Sequence, residues 1–191
     1  MKQIKQITLS ILLAGSTTLF ANTQFDKTLE LNNIAFHVTS PNDGSLNKIT
    51  IQTKGLRRDT VDTNEVDGTV TDATVADLNN DGAPEIYIFV TSAGSGSYGS
   101  VIAYSSNKNI SITPIYMEEL AQDSKILQGY MGHDTYKIEK NRLVRRFPVY
   151  GKGNTNAKPG SHIREIRYKL NHGEAAWQLK VAETKELTRK H

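Results

Sequence analysis

Residues 85–92 read EIYIFVTS, and this stretch decides the fold. Apolar side chains occupy both of its faces, with Ile86 and Ile88 on one and Tyr87 and Phe89 on the other. Successive side chains of a strand point to opposite faces, so a strand of this kind needs cover on both sides. The stretch therefore predicts a buried strand in the middle of a sheet.

Most of the remaining chain alternates apolar and polar residues with a period of two. The pattern is clearest at residues 49–52, 136–139, 165–170 and 177–181. Such alternation is typical of antiparallel strands with one face in water. We therefore predict an all-β, antiparallel β-sandwich in a single domain, with at most one short helix, at residues 117–127.

Three short polar segments interrupt the alternation. Residues 171–174 (NHGE) and 139–142 (EKNR) have the composition of hairpin turns. At Asn32 and Asn33 the alternation changes phase, which predicts a bulge or a bend.

The first 21 residues have the features of a secretory signal peptide. Lys2 and Lys5 precede an apolar stretch too short to span a bilayer, and Ala21 suits the cleavage site. Ser16 stands where a lipoprotein would need its acylated cysteine, so no membrane anchor is expected. The domain is then residues 22–191, with a loose tail at its end.

The chain contains no cysteine, so the exported domain must be held together by its core alone. Together with the signal peptide, this composition predicts the periplasm of a Gram-negative bacterium.

The distribution of charge is uneven. Residues 22–121 contain 6 Lys and Arg against 13 Asp and Glu, and residues 122–191 contain 15 against 7. Without Lys2 and Lys5 the formal charge falls from +3 to +1, which gives no indication of a nucleic-acid partner. The asymmetry fits either two solvated faces of one domain or an acidic segment, residues 59–85, that attracts a cationic partner.

The loop Gly94-Ser95-Gly96-Ser97-Tyr98-Gly99 matches the G-x-G-x-x-G pattern of dinucleotide sites. That pattern needs a helix after the loop, and residues 100–104 (SVIAY) are strand-like instead. A serine hydrolase would need G-x-S-x-G, which neither Ser95 nor Ser97 provides. A hydrolase would also need a histidine and an acid that can interact. His133 and Asp134 are neighbours in the sequence, but on a strand they would point to opposite faces and form a poor pair. We therefore predict that the protein is not an enzyme.

A second polar segment, DLNNDGAPE at residues 77–85, presents oxygen ligands suited to calcium. Asp77, Asn79, Asp81 and Glu85 occupy positions 1, 3, 5 and 9 around a glycine. An EF-hand would also need a glutamate at position 12 and flanking helices, and the sequence has neither. The alternative is a tight turn in which the carboxylates cap backbone amides. We expect no cofactor and no bound metal, and keep these four residues as the candidate ligands.

The composition of the 94–99 loop fits a mobile spacer, but Tyr98 favours a binding role. A lone aromatic residue among glycines and serines supplies rigid contact area at low entropic cost.

The chain resembles the family of periplasmic inhibitors of invertebrate-type lysozyme. The resemblance rests on segments spread over most of the domain: DLNNDGAPEIYIF (77–89), VTSAGSGSYGSVIAYS (90–105), GYMGHDTY (129–136), LVRRFPVY (143–150), NTNAKP (154–159) and YKL…GEAAW (168–177).

The resemblance implies a secreted β-sandwich, often a homodimer, that inserts one loop into the active-site cleft of an invertebrate-type lysozyme. The inhibitory Ser-Gly-x-Tyr motif of the family falls on Ser95, Gly96 and Tyr98. Gly94 lets the backbone approach the cleft closely, and Ser97 is a further candidate contact. The alternative function is a calcium- or glycan-binding module that uses the 77–85 segment.

Overall fold

The computed structural model describes residues 24–188, so the predicted signal peptide and residues 189–191 lie outside the described chain. Within residues 24–188 the chain forms twelve strands and one 3-10 turn. They are β1 (Phe25–Leu31), β2 (Ile34–Ser40), β3 (Leu46–Lys54), β4 (Val61–Asp67), β5 (Thr69–Ala76), β6 (Glu85–Thr91), β7 (Gly99–Ser105), β8 (Thr113–Met117), the 3-10 turn Lys125–Leu127, β9 (Thr135–Ile138), β10 (Leu143–Pro148), β11 (His162–His172) and β12 (Trp177–Thr188).

The strands form two sheets. The smaller sheet has the order β1-β2-β3-β4, and the larger has the order β5-β6-β7-β8-β12-β11-β10-β9. Neighbouring strands are antiparallel except β8 and β12, which are parallel. The predicted all-β, antiparallel sandwich is confirmed, and the segment predicted to be helical contributes only the 3-10 turn Lys125–Leu127.

Strand β6 lies between two hydrophobic cores. On one face, Ile86 and Ile88 are fully buried against Phe36 and Ile51 of the smaller sheet. On the other face, the residues of β6 belong to a second core that includes Phe147 of β10. Two-sided burial therefore explains why β6 is apolar on both faces.

The larger sheet curls so that its far edge returns towards β6. The ring of Phe89 in β6 stacks on that of Tyr136 in β9, with centroids 6.0 Å apart. Strand β6 also has a hydrogen-bonded neighbour on each side, β5 and β7, so the predicted interior position in the sheet is confirmed.

The turns follow the sequence with one exception. Lys140 and Asn141 have positive φ in a two-residue hairpin, as the composition predicted. The bulge or bend predicted at Asn32 and Asn33 is wrong, because both residues have positive φ (52° and 64°) and form a tight hairpin between β1 and β2. Asparagine tolerates this conformation better than most residues, which allows the chain to reverse there.

Candidate functional site

The loop of residues 92–98 connects β6 to β7, and hydrogen bonds close its base. The backbone nitrogen of Ser92 donates to the Tyr98 carbonyl at 2.8 Å, and the Tyr98 nitrogen donates to Ser92 Oγ at 3.0 Å. Within the loop, the Ser97 nitrogen donates to the carbonyl of Gly94 at 3.2 Å. The loop therefore has a defined conformation and is not a free spacer.

Two side chains of the 92–98 loop face solvent with unused hydroxyl groups. Ser95 is exposed and Tyr98 is 52% exposed. Neither hydroxyl forms a hydrogen bond to another residue in the described chain, 24–188. The Tyr98 ring packs edge-on against Tyr130 with centroids 5.7 Å apart, so its orientation is supported from behind.

The small residues of the loop occupy their positions for different structural reasons. Gly94 has φ of +113° with open space around it, so its backbone needs glycine. A Cβ on Gly96 would lie 2.4 Å from Cε2 of Tyr98, so a side chain there would displace the tyrosine ring. Ser97 also has positive φ, and its hydroxyl lies 3.5 Å from the Gly94 carbonyl and so points back into the loop.

A second segment, residues 129–134, supports the 92–98 loop from below. The backbone nitrogen of His133 donates to the carbonyl of Gly96 at 2.7 Å. At Gly132 an added Cβ would lie 1.9 Å from that same carbonyl oxygen, so the two backbones touch. Asn156 adds a weaker hydrogen bond to the carbonyl of Ser95, at 3.4 Å.

Asp134 connects this supporting segment to the start of β7. Its Oδ2 accepts hydrogen bonds from the Gly99 backbone nitrogen at 2.9 Å and from the Tyr130 hydroxyl at 2.5 Å. Its Oδ1 accepts a charge-assisted hydrogen bond from Nε of Arg145 at 2.6 Å. The Asp134 side chain is 0% exposed and that of Arg145 is 11% exposed, so this is a buried ion pair beside the loop.

Arg145 and Tyr130 extend the support to the exposed tyrosine. The guanidinium carbon of Arg145 lies 4.7 Å from the centroid of the Tyr130 ring, on which Tyr98 packs. Burial, together with the hydrogen bond to Asp134, raises the pKa of Tyr130, so its hydroxyl stays a donor.

The sequence did not reveal this support. Arg145 and Arg146 are adjacent in β10, and their side chains point to opposite faces of the strand. Arg146 instead binds Glu139 through two hydrogen bonds of 2.7 Å on the outer face. The sequence could have indicated this difference between Arg145 and Arg146, because adjacent residues of a strand point to opposite faces.

The structure has the feature that argued against a nucleotide site, whereas His133 and Asp134, expected to be neighbours on a strand, both lie before β9, and His133 has φ of 58°. Strand β7, rather than a helix, follows the 92–98 loop. Within residues 24–188, neither Ser95 nor Ser97 forms a hydrogen bond to a histidine side chain. His133 meets the loop through its backbone nitrogen instead.

The four candidate metal ligands, Asp77, Asn79, Asp81 and Glu85, lie together in the turn before β6. The two oxygens of Asp77 accept from the backbone nitrogens of Asp81 and Gly82, at 3.1 and 2.9 Å. Asn79 Oδ1 also accepts from the Asp81 nitrogen, at 3.1 Å. The expected capping of turn amides by side-chain oxygens is thus present.

Glu85 differs from the other three because it is completely buried. Its Oε2 accepts a hydrogen bond from the backbone nitrogen of Leu78 at 2.8 Å. Burial raises the pKa of Glu85 to about 8, and the negative charges of Asp77 and Asp81 add to that effect. Strand β6 separates this turn from the 92–98 loop by about 20 Å, since each residue of a strand advances ~3.3 Å.

One protein family matches the part of the chain that contains the site. Residues 60–124, about a third of the chain, match the family described as periplasmic lysozyme inhibitor of I-type lysozyme. The match confirms the family resemblance over these residues and supports the function of a periplasmic lysozyme inhibitor in general. The description of that family names I-type lysozyme as the enzyme that its members inhibit.

The matched residues contain both the 92–98 loop and the turn before β6. No characterised protein and no solved structure matches the chain significantly. Within residues 24–188, no helix is long and apolar enough to cross a membrane.

Proposed function

We propose that this protein inhibits an invertebrate-type lysozyme by inserting the 92–98 loop into the active-site cleft of the enzyme. The observation that carries the proposal is that the loop exposes two free hydroxyl groups, those of Ser95 and Tyr98, on a backbone fixed from behind. The family match includes this loop. A fixed loop loses little conformational entropy on binding, which favours affinity.

The chemistry of a lysozyme cleft suits these side chains. Two carboxyl groups flank the glycosidic bond, roughly 5 Å or more apart, and one is protonated while the other is ionised. A serine hydroxyl donates to a carboxylate and accepts from a carboxylic acid. Ser95 would therefore occupy the position of the glycosidic oxygen, between the two groups.

Tyr98 and the glycines complete the proposed contact. The Tyr98 ring would fill a neighbouring sugar subsite and donate a hydrogen bond through its hydroxyl. Gly94 and Gly96 carry no Cβ, so the backbone beside Ser95 approaches the floor of the cleft closely. Ser97 points back into the loop and would contribute less than Ser95.

Several finer expectations belong to the same proposal. The protein would be exported after cleavage near Ala21, act without catalysing a reaction, and form a homodimer, as the family resemblance implies. Light scattering at increasing protein concentration tests the dimer: a mass near twice that of the mature chain supports it, and a monomer mass throughout excludes it.

The direct test of the function is a lysis assay on bacterial cell walls. Purified protein is titrated against an invertebrate-type lysozyme, with chicken-type and goose-type enzymes in parallel. We expect stoichiometric loss of lysis with the invertebrate-type enzyme alone. If none of the three enzymes is inhibited, the proposed function is wrong.

A further inference from the structure

The turn before β6 concentrates negative charge without a matching cation. One oxygen from each of the carboxylates of Asp77, Asp81 and Glu85 lies within 4.8 Å of the others. No Lys, Arg or His side chain of the described chain forms an ion pair with any of the three. Ionised carboxylates this close repel one another, so all three groups ionise together only when a cation lies between them.

Glu85 provides an independent indication of a ligand. Its side chain is 0% exposed, and its carboxylate belongs to the cluster of three. While Oε2 is held by the Leu78 nitrogen, Oε1 is buried without a hydrogen-bond partner anywhere in residues 24–188. A buried carboxyl oxygen without a partner is costly, and a metal ion bound by the ionised group would satisfy it.

The donor set and the fold around it suit a hard divalent cation. Carboxyl oxygens of Asp77, Asp81 and Glu85 lie together, and the amide oxygen of Asn79 lies in the same turn, where it accepts from the Asp81 nitrogen. Calcium prefers such oxygen ligands in flexible loops. The turn is also held from outside, because Asn32 Nδ2 donates to the Gly82 carbonyl at 3.1 Å. Its ligands therefore lie close together before any ion arrives.

We infer that Asp77, Asn79, Asp81 and Glu85 form a calcium site that stabilises the start of β6. The ion would fix the turn to the strand that lies between the two cores. This site is separate from the 92–98 loop, at the opposite end of β6. The inference does not depend on the proposed inhibition of lysozyme.

The test measures calcium binding and thermal unfolding of the protein purified from periplasmic extract and treated with a chelator. Calcium is titrated by calorimetry, with magnesium as a second probe. We expect saturable calcium binding and a rise in Tm on the order of 5 °C when calcium is about a hundredfold above Kd. No heat and no change of Tm with calcium would overturn the inference.

Three variants locate the site. Asp81→Asn removes an exposed charge, and Glu85→Gln retains an oxygen that can accept from the Leu78 nitrogen, so both should fold. Each should weaken calcium binding by about tenfold or more, because affinity depends on the number of charged ligands. The control, Asp123→Asn, removes an exposed carboxylate elsewhere and should bind calcium like the unaltered protein. Unchanged calcium binding in both Asp81→Asn and Glu85→Gln would also overturn the inference.

Discussion

Asp134 holds the start of β7 by accepting a hydrogen bond of 2.9 Å from the backbone nitrogen of Gly99, directly after the exposed Tyr98. The same carboxylate forms the buried ion pair with Arg145. One buried side chain thus links the proposed inhibitory loop to the core of the larger sheet. Residues outside the loop therefore contribute to its shape, together with the hydrogen bonds within it.

The first prediction concerns that ion pair. Asp134→Asn leaves the 11% exposed guanidinium of Arg145 without its counter-ion, at a site where little water can replace it. We expect the free energy of unfolding to fall by about 3 kcal/mol. Urea denaturation measures the loss, and Asp123→Asn, at an exposed position, should change stability by less than about 0.5 kcal/mol. Equal stabilities of the two variants would contradict the structural role of Asp134.

The second prediction separates loop shape from general stability. Gly132 and Gly153 have nearly the same backbone conformation, with φ of +89° and +87°. Alanine strains both positions, but only at Gly132 does the new Cβ meet the Gly96 carbonyl, at 1.9 Å. Because this clash displaces the loop that carries Ser95 and Tyr98, we expect Gly132→Ala to weaken lysozyme inhibition by about tenfold or more. Inhibition constants measure this effect.

Gly153→Ala is the matched control for this experiment. It carries the same backbone strain with nothing within 4 Å of the new Cβ, so it should inhibit lysozyme like the unaltered protein. If the two variants inhibit equally well, the contact between residues 132 and 96 does not shape the inhibitory loop.

The third prediction concerns acid stability. Burial opposes ionisation of Glu165, but hydrogen bonds from Arg146, Lys185 and Arg167 outweigh it and lower the pKa below the ordinary value of 4.5. A carboxyl group with a lowered pKa in the folded state stabilises the protein above its ordinary pKa. This contribution should be lost as the pH falls from about 4.5 through the lower folded value.

Urea unfolding between pH 7 and pH 3 tests this prediction. Glu165→Gln cannot ionise, so its stability should lie below that of the unaltered protein at pH 7, and the difference should shrink in acid. A difference that stays constant over this range would show that Glu165 is not the titrating group.

The fourth prediction concerns association with a cationic lysozyme. The acidic segment, residues 59–85, includes exposed Glu65 and Asp67. Next to Asp67, Gly68 packs closely on Thr91 and Ser92 at the base of the proposed inhibitory loop. If this segment attracts the enzyme, the association rate should fall by about tenfold or more from low to physiological salt. Stopped-flow measurements provide the rate, and a salt-independent rate would exclude steering.

The sequence predicted the strand composition of the fold well, because burial leaves a local pattern. The apolar run of residues 85–92 indicated cover on both faces, and β6 has it. The hairpin at Asn32 and Asn33 was missed, because the same change of phase fits a bulge and a turn equally well. The parallel pairing of β8 with β12 could not be predicted either, since strand order depends on contacts between residues that are far apart in the chain.

The site was predictable only in its exposed part. Ser95 and Tyr98 stand out because glycines and serines surround them. The support below them comes from Asp134 and Arg145, which lie 36 and 47 residues beyond Tyr98. Nothing in the local pattern links such distant residues, and their contact arises from the curl of the larger sheet.

The most direct test of the central claim is the inhibition constant of the double variant Ser95→Ala, Tyr98→Ala against an invertebrate-type lysozyme. Its control is Ser45→Ala, Tyr116→Ala, which removes an exposed serine and a tyrosine that is 59% exposed, both outside the loop. We predict that the first variant loses inhibition by about a hundredfold or more, since aromatic contacts dominate such interfaces. The control should inhibit like the unaltered protein. Full inhibition by the Ser95, Tyr98 variant would contradict the claim that the 92–98 loop enters the cleft.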